Sequence, residues 1–244
     1  MNLIIDIGNT QTKVAIFNNR KILKSMIMDE FNSDVLYESK TLYPDLKQAI
    51  LCSVATRDDK LLEILTKEFD LFIELTSHTP LPIENLYESK ESLGPDRLAA
   101  AVGANHFFPN ADLLVIDAGT AITYDVIDHN NRYLGGNISP GLATRFKSLH
   151  DFTKKLPLIE SADQWPLIGK TTEEAIRVGV QAGILYEMDA MINRIRDNWI
   201  DCKVILTGGD SFFFDEKLKN TIFVMFELTL MGLNRILEYN AEKK

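Results

Sequence analysis

Residues 4–13, IIDIGNTQTK, run from an apolar segment through a turn into a second β-prone segment, TKVAIF at 12–17. The pattern predicts a hairpin whose turn carries Asp6, Gly8, Asn9 and Thr10. Such a turn is equipped to meet phosphate. Glycine lets the backbone approach an anion, successive N–H groups can point at it, and a carboxylate can hold a cation. An N-terminal hairpin with a Gly-Asn turn and a solvated aspartate uses the same residues, and this stretch alone leaves both readings open.

The stretch recurs. VIDAGTAITYDVI, residues 115–127, repeats it at a constant offset of 111: Asp6 with Asp117, Gly8 with Gly119, Thr12 with Thr123. The economical reading is two similar halves, 1–112 and 113–244, each opening with a hairpin, their turns facing across a cleft.

A chain of 244 residues is long enough for two such halves. Its 26 Lys and Arg stand against 35 Asp and Glu, a formal charge of −9. That balance argues against broad binding of nucleic acid or anionic membrane, because no basic stripe is present to neutralise phosphates. Cys52 and Cys202 adjoin apolar runs and read as buried free thiols in a reducing compartment. The four histidines lack metal-ligand spacing. Three apolar residues before Asp6 are too few for a signal peptide, and no apolar run approaches ~20 residues. A soluble cytoplasmic protein is expected.

In chain order, strands are predicted at 3–7, 12–17, 21–28, 48–53 and 71–75, with helices near 34–43 and 57–68. HTPLPIENLYES at 78–89 reads as a long loop. SLGPDRLAAAVGANHFF opens a helix at Gly94 and Pro95, with Asp96 in its first turn. An acidic residue there is stabilised by the helix dipole whatever its function, and Arg97 can equally be a solvated side chain. After the second hairpin, RYLGGNISPG at 132–141 is a third strand, followed by a helix near 141–151 and a connecting loop at 152–170. Thr171 and Glu174 form a capping box for the longest helix, 171–196, on which Gly179 and Gly183 share a face suited to close packing, including against a second subunit. KVILTGGD at 203–210 ends a buried strand in glycines, where α/β sheets place ligands or simply turn. FVMFELTLMGLNRIL closes the chain with an apolar start and an amphipathic helix.

DIGNTQTK, LGPDR, VIDAGTAITYDV, YLGGNISPGL, TKKLP, TTEEAIRVG and TGGD, in this order along nearly the whole chain, resemble the type III pantothenate kinases. The resemblance implies an α/β fold of duplicated ribonuclease-H-like domains, as in the actin and sugar-kinase superfamily. It also implies transfer of the ATP γ-phosphate to the hydroxyl of pantothenate, the first step towards coenzyme A. By the same resemblance Asp6, Ile7, Gly8, Asn9, Thr10, Gln11, Thr12 and Lys13 hold ATP with its Mg²⁺, and Thr120 contacts phosphate. Asp117 ligates a monovalent cation, K⁺ or NH₄⁺. Gly94, Pro95, Asp96 and Arg97 bind pantothenate with Asp96 as general base, Tyr87 and Thr172 add further pantothenate contacts, and the protein is a homodimer. Two other readings share the fold: a transcriptional regulator without kinase activity, and a kinase for another small hydroxyl substrate. Asp6, Asp96 and Asp117 argue against the first, and the GPDR segment with Tyr87 against the second.

Overall fold

The computed structural model describes residues 1–55 and 58–243; Arg57, the first residue of the predicted second helix, lies outside them. Strands β1 (Asn2–Ile7) and β2 (Thr12–Asn18) form the first hairpin, and β3 (Lys21–Met28) extends it antiparallel. Helix α1 (Ser33–Leu42), strand β4 (Gln48–Ser53), helix α2 (Asp59–Glu68) and strand β5 (Leu71–Glu74) follow, with β4 parallel to β1 and β5 parallel to β4. The helices begin where the chain supplies caps: Asn32 accepts from the amides of Asp34 and Val35, and Asp58 from those of Lys60 and Leu61. The predicted loop at 78–89 contains a two-residue strand, β6 (Glu84–Asn85), paired parallel to residues 132–133. Two residues carry no periodicity, so this strand exists only through its distant partner. Helix α3 (Pro95–Phe107) starts at Gly94 with Pro95 in its first turn, as the sequence predicts.

The second hairpin pairs β7 (Leu113–Ala118) with β8 (Ala121–Ile127), and β9 (Arg132–Pro140) leads into α4 (Leu142–Asp151). Helix α5 (Thr172–Arg196) has the predicted cap with one displacement: Thr171 accepts from the Glu174 amide, but the Glu174 carboxylate reaches the amide of Lys170. Strand β10 (Lys203–Thr207), the short α6 (Ser211–Phe214), β11 (Phe223–Val224) and helix α7 (Leu228–Ala241) complete the chain. The first sheet has the order β3-β2-β1-β4-β5. The second runs β9-β8-β7-β10-β11, with β6 beyond β9, so both hairpins occupy the same place in the same strand order. Asp6 and Asp117 are each the last but one residue of the corresponding strand.

The chain forms two compact units: 1–110 with 127–135 and 227–244, and 111–126 with 136–226. They differ from the contiguous halves 1–112 and 113–244 in that 127–135 and 227–244 join the first unit and 111–112 the second. Within that unit β1 is buried on both faces. Leu3 and Ile5 share a core with Leu36 of α1 and Leu61, Leu62 and Leu65 of α2, while α7 packs against β1, β2 and β4. A buried amide pair anchors α7: Asn2 Nδ2 donates to Asn234 Oδ1 at 2.8 Å, and Asn234 Nδ2 donates to the Asn19 carbonyl at 3.0 Å.

Helices α3 and α7 cross on glycine. A Cβ on Gly232 would lie 1.8 Å from the Ala99 carbonyl oxygen, and one on Gly103 would lie 2.4 Å from the Leu228 carbonyl oxygen. In both cases the obstacle is backbone, which cannot swing aside. Gly232→Ala is therefore expected to destabilise the protein by about 3 kcal/mol, read as a fall in Tm in a thermal melt. An unchanged Tm would mean that the crossing is looser than described.

Candidate functional site

In the first unit the hairpin turn is closed by Gly8 N–H donating to the Gln11 carbonyl at 3.0 Å. A Cβ at Gly8 would stand 3.0 Å from that same oxygen, so the turn favours glycine there. Asn9, Thr10 and Gln11 are exposed at its tip, whereas Thr12 is buried. Asp6 lies beneath the turn, with Lys13 opposite it in the β1–β2 register and Cys52 opposite it in the β1–β4 register. Burial pushes the Asp6 carboxyl up to about 6; Lys13 and a hydrogen bond from the Cys52 thiol pull the other way, and the nearby Asp96 carboxylate adds to the rise. Burial, with both carboxylates close by, drives the Cys52 thiol well above its ordinary range, so this free cysteine remains protonated.

Asp96 stands at the start of α3, its Oδ1 accepting from the Arg97 amide at 2.9 Å. A Cβ on Gly94 would lie 2.4 Å from that carboxylate oxygen, so glycine leaves the space the carboxylate occupies. Arg97 departs from the solvated alternative: it is 7% exposed, with its guanidinium 5.9 Å from the centre of the Tyr87 ring. Tyr87 in turn lies beside Tyr133, centroids 6.1 Å apart, and over Gly135, whose φ is +126°. A side chain at Gly135 would be strained by that φ, while its Cβ would meet the Tyr87 ring at ordinary contact distance. The fold thus brings Asp6, Lys13 and Asp96 together, with Arg97 and Tyr87 adjoining through Asp96 and its helix. Among these neighbours the sequence did not single out Gly135 and marked Cys52 only as a buried thiol; Cys52 is 46 positions from Asp6, and only the parallel register places them side by side.

In the second unit the equivalent turn is shorter, with Gly119 N–H donating to the Ala121 carbonyl at 3.0 Å. Asp117 meets the TGGD segment. Gly208, at φ +95°, passes so close that a Cβ would lie 2.4 Å from Asp117 Oδ1 and 2.3 Å from the Ala118 carbonyl oxygen. Asp210 N–H donates to the same Ala118 carbonyl at 2.9 Å. Gly208 of TGGD therefore seats one strand end on the other, a role that spacing alone could not separate from an ordinary turn. Gly141 does the same from another side: its Cβ would lie 1.9 Å from the Gly119 carbonyl oxygen. Thr120 is exposed at the tip, its carbonyl accepting from Gly141 N–H at 3.0 Å and from the Thr144 hydroxyl at 2.7 Å. Thr172 opens α5 and is exposed.

Beside the TGGD turn is a cavity of about 470 Å³, walled by Leu142, Ala143 and Phe146 of α4 and by Leu158 and Ile159, with Lys147, Glu160, Ser161 and Asp210 among its polar lining. Its size suits a small organic ligand. Burial raises the Asp210 carboxyl above its ordinary range. Among the described residues no group of three or more His, Cys, Asp or Glu is placed to hold a metal ion by itself. No helix among them is long and apolar enough to cross a membrane.

The sequence model for type III pantothenate kinase matches residues 2–194. A Bacteroides fragilis protein named type III pantothenate kinase is 48% identical over 240 residues, covering 98% of each chain. A solved Campylobacter jejuni structure, named for the Baf family of transcriptional activators, superposes with TM-score 0.65 at 23% identity, over 98% of this chain and 99% of that one. The polyphosphate/ATP-glucomannokinase of an Arthrobacter strain superposes with TM-score 0.50 at 14% identity over 100% of both chains. At such identities the structural likenesses speak for the fold, which is that of the actin and sugar-kinase superfamily.

The raised Asp6 carboxyl has a measurable consequence in the ligand-free protein. A folded value of about 6 against 3.8 favours the fold below pH ~4, and this advantage is lost as the pH rises through 6. At neutral pH the ionised carboxylate costs on the order of 1–3 kcal/mol, allowing for its partial exposure. Asp6→Asn is expected to raise the Tm of the ligand-free protein at pH 7.5 and to leave it nearly unchanged at pH 4. A lower Tm at pH 7.5 would contradict this reading.

Proposed function

We propose residue roles from one premise: this chain belongs to the type III pantothenate kinase family. Its activity is ATP-dependent phosphorylation of pantothenate on the path to coenzyme A, with a divalent cation accompanying the nucleotide. The observation that carries the residue assignment is the half-buried Asp6–Lys13–Asp96 cluster beneath the first turn.

Asp6 is partly compensated by Lys13 and loaded by Asp96, so it favours a bound cation. With no three-ligand cluster among the described residues, Mg²⁺ fits as an ion held by one or two carboxylates and mainly by the substrate's phosphate oxygens. When bound it would supply charge neutralisation at those oxygens. Around it, residues 6–13 supply backbone amides and the Lys13 ammonium to the triphosphate. Asp96 takes the proton from the pantothenate hydroxyl as the bond to phosphorus forms. Gly94 keeps its carboxylate unobstructed, and Pro95 starts the helix that carries it. Arg97, buried against Tyr87, faces the pantothenate carboxylate with an orientation fixed by the ring.

In the second unit Thr120 contacts phosphate, and Asp117 takes K⁺ or NH₄⁺ beside the Gly208 turn. The cavity between α4 and Asp210 suits the nucleoside of ATP, its apolar walls taking the base and Asp210 accepting from ribose hydroxyls. Thr172 adds a pantothenate contact, in keeping with its exposure. We assign the protein as a homodimer through the α5 face bearing Gly179 and Gly183, where a Cβ would meet nothing within 4 Å and where Tyr186 is 59% exposed. Light scattering that returns the 27.6 kDa of one chain would remove that assignment. The two hairpin-led halves, 1–112 and 113–244, are assigned as products of a duplication.

The test is ATP consumption by the purified protein with Mg²⁺ and K⁺, with and without pantothenate. Consumption is expected to require pantothenate and to fall when K⁺ is withdrawn. Asp96→Asn should lower kcat by about 10²–10⁴ while ATP still binds, and Asp117→Asn should blunt the response to K⁺. Pantothenate-independent consumption would refute the activity; wild-type turnover by Asp96→Asn would remove Asp96 as base.

A further inference from the structure

Thr120 is held from behind. Its carbonyl accepts two hydrogen bonds, both from the first turn of α4 or the residue before it: Gly141 N–H and the Thr144 hydroxyl. The turn at Gly119–Thr120 therefore takes its conformation from wherever the start of α4 is placed. Gly141 has no freedom to shift inward, since backbone already occupies the space beside its Cα.

The start of α4 is fixed by one side chain. Arg145, one helical turn further on, reaches back along the chain. Its Nε donates to the Pro140 carbonyl at 2.8 Å and its Nη2 to the Ser139 hydroxyl at 2.8 Å, binding the bend where β9 becomes α4. The same Nη2 donates to Glu187 Oε2 on α5 at 2.6 Å. Glu187 Oε1 accepts from the Tyr124 hydroxyl at 2.8 Å, and Tyr124 lies on β8, the strand that leaves the Thr120 turn. Both the strand leaving the turn and the helix behind it are thus tied to one point on α5. The pair is mostly buried, with Arg145 and Glu187 side chains 21% and 31% exposed. A planar guanidinium can serve these partners at once; an ammonium, a single point donor, cannot copy the fork.

We infer that Arg145, held by Glu187, is a positioning residue for the nucleotide-binding turn at Gly119–Thr120, acting through the start of α4 and Thr144. The inference rests on the reading of Thr120 as a phosphate contact. Neither Arg145 nor Glu187 is placed in the transfer chemistry; their effect is on how well ATP is held.

The experiment measures KM and kcat separately for ATP and for pantothenate, the Kd of ATP by calorimetry, and Tm, for Arg145→Gln, Arg145→Lys, Thr144→Val and Thr144→Ser. Arg145→Gln is expected to raise KM and Kd for ATP about tenfold, the scale of a lost charge-assisted hydrogen bond, with KM for pantothenate changed less than about twofold. Arg145→Lys should restore little. Thr144→Val, nearly isosteric and placed to fold normally, should weaken ATP in the same direction, and Thr144→Ser should restore it. The Arg145→Gln/Thr144→Val double variant should be little worse than the poorer single one, because both act on one carbonyl. Unchanged affinity for ATP in Arg145→Gln and Thr144→Val would overturn the inference. So would a parallel loss for both substrates that tracks Tm, since that is what a purely structural ion pair produces. If the wild type consumes no ATP with pantothenate, the functional reading fails, and the calorimetric ATP series still decides the positioning role.

Discussion

A carboxylate cannot be taken out of water at the end of a central strand without something to receive its charge. Asp6 is in that position, beneath a glycine turn, between Lys13 on one neighbouring strand and Cys52 on the other, with Asp96 close by. Burial raises the Asp6 carboxyl to about 6; Lys13 and the Cys52 thiol offset part of that rise, and Asp96 adds to it. Under the proposed function, a cation that arrives with the nucleotide completes the arrangement. The strand order, the two-sided burial of β1 and the seating of α3 all serve to hold that cluster in place.

The second unit answers the same problem with backbone. Around Asp117 and Thr120, Gly208 and Gly141 let two chain segments come closer than any side chain permits. The turn is rigid because it is crowded from behind. In the first unit a cluster of side-chain charges is the notable feature; in the second, a close-packed backbone braced through Arg145, Glu187 and Tyr124. Equivalent places in a repeated strand order are thereby held by different physical means.

Local chemistry made much of this legible. The two hairpins, the Pro95 helix start and the Thr171 cap rest on short-range rules, and the structure follows them. The repeat at Asp117 pointed to the matching strand order of the two sheets because equivalent turns need equivalent residues. What depended on distant pairing was not readable. Strand β6 exists only through residues 132–133. Cys52 meets Asp6 only through a parallel register. The return of α7 to the first unit rests on Gly103 and Gly232, which in sequence are ordinary helix-weakening glycines. Arg97 reads as equally suited to solvent, and only the fold lays it on Tyr87. The glycines of TGGD signal a turn, while the purpose of Gly208, clearance for Asp117 and Ala118, is a property of two strands together.

The most direct test of the central claim is the titration of the Asp6 carboxyl itself, followed by NMR on aspartate-labelled protein and assigned by comparison with Asp6→Asn. In the ligand-free protein its midpoint is expected at about 6, and saturating Mg²⁺ with ATP should bring it to or below the ordinary carboxylate value of about 4. A midpoint at the ordinary value without ligand, or one that Mg²⁺ and ATP leave unmoved, would contradict the account.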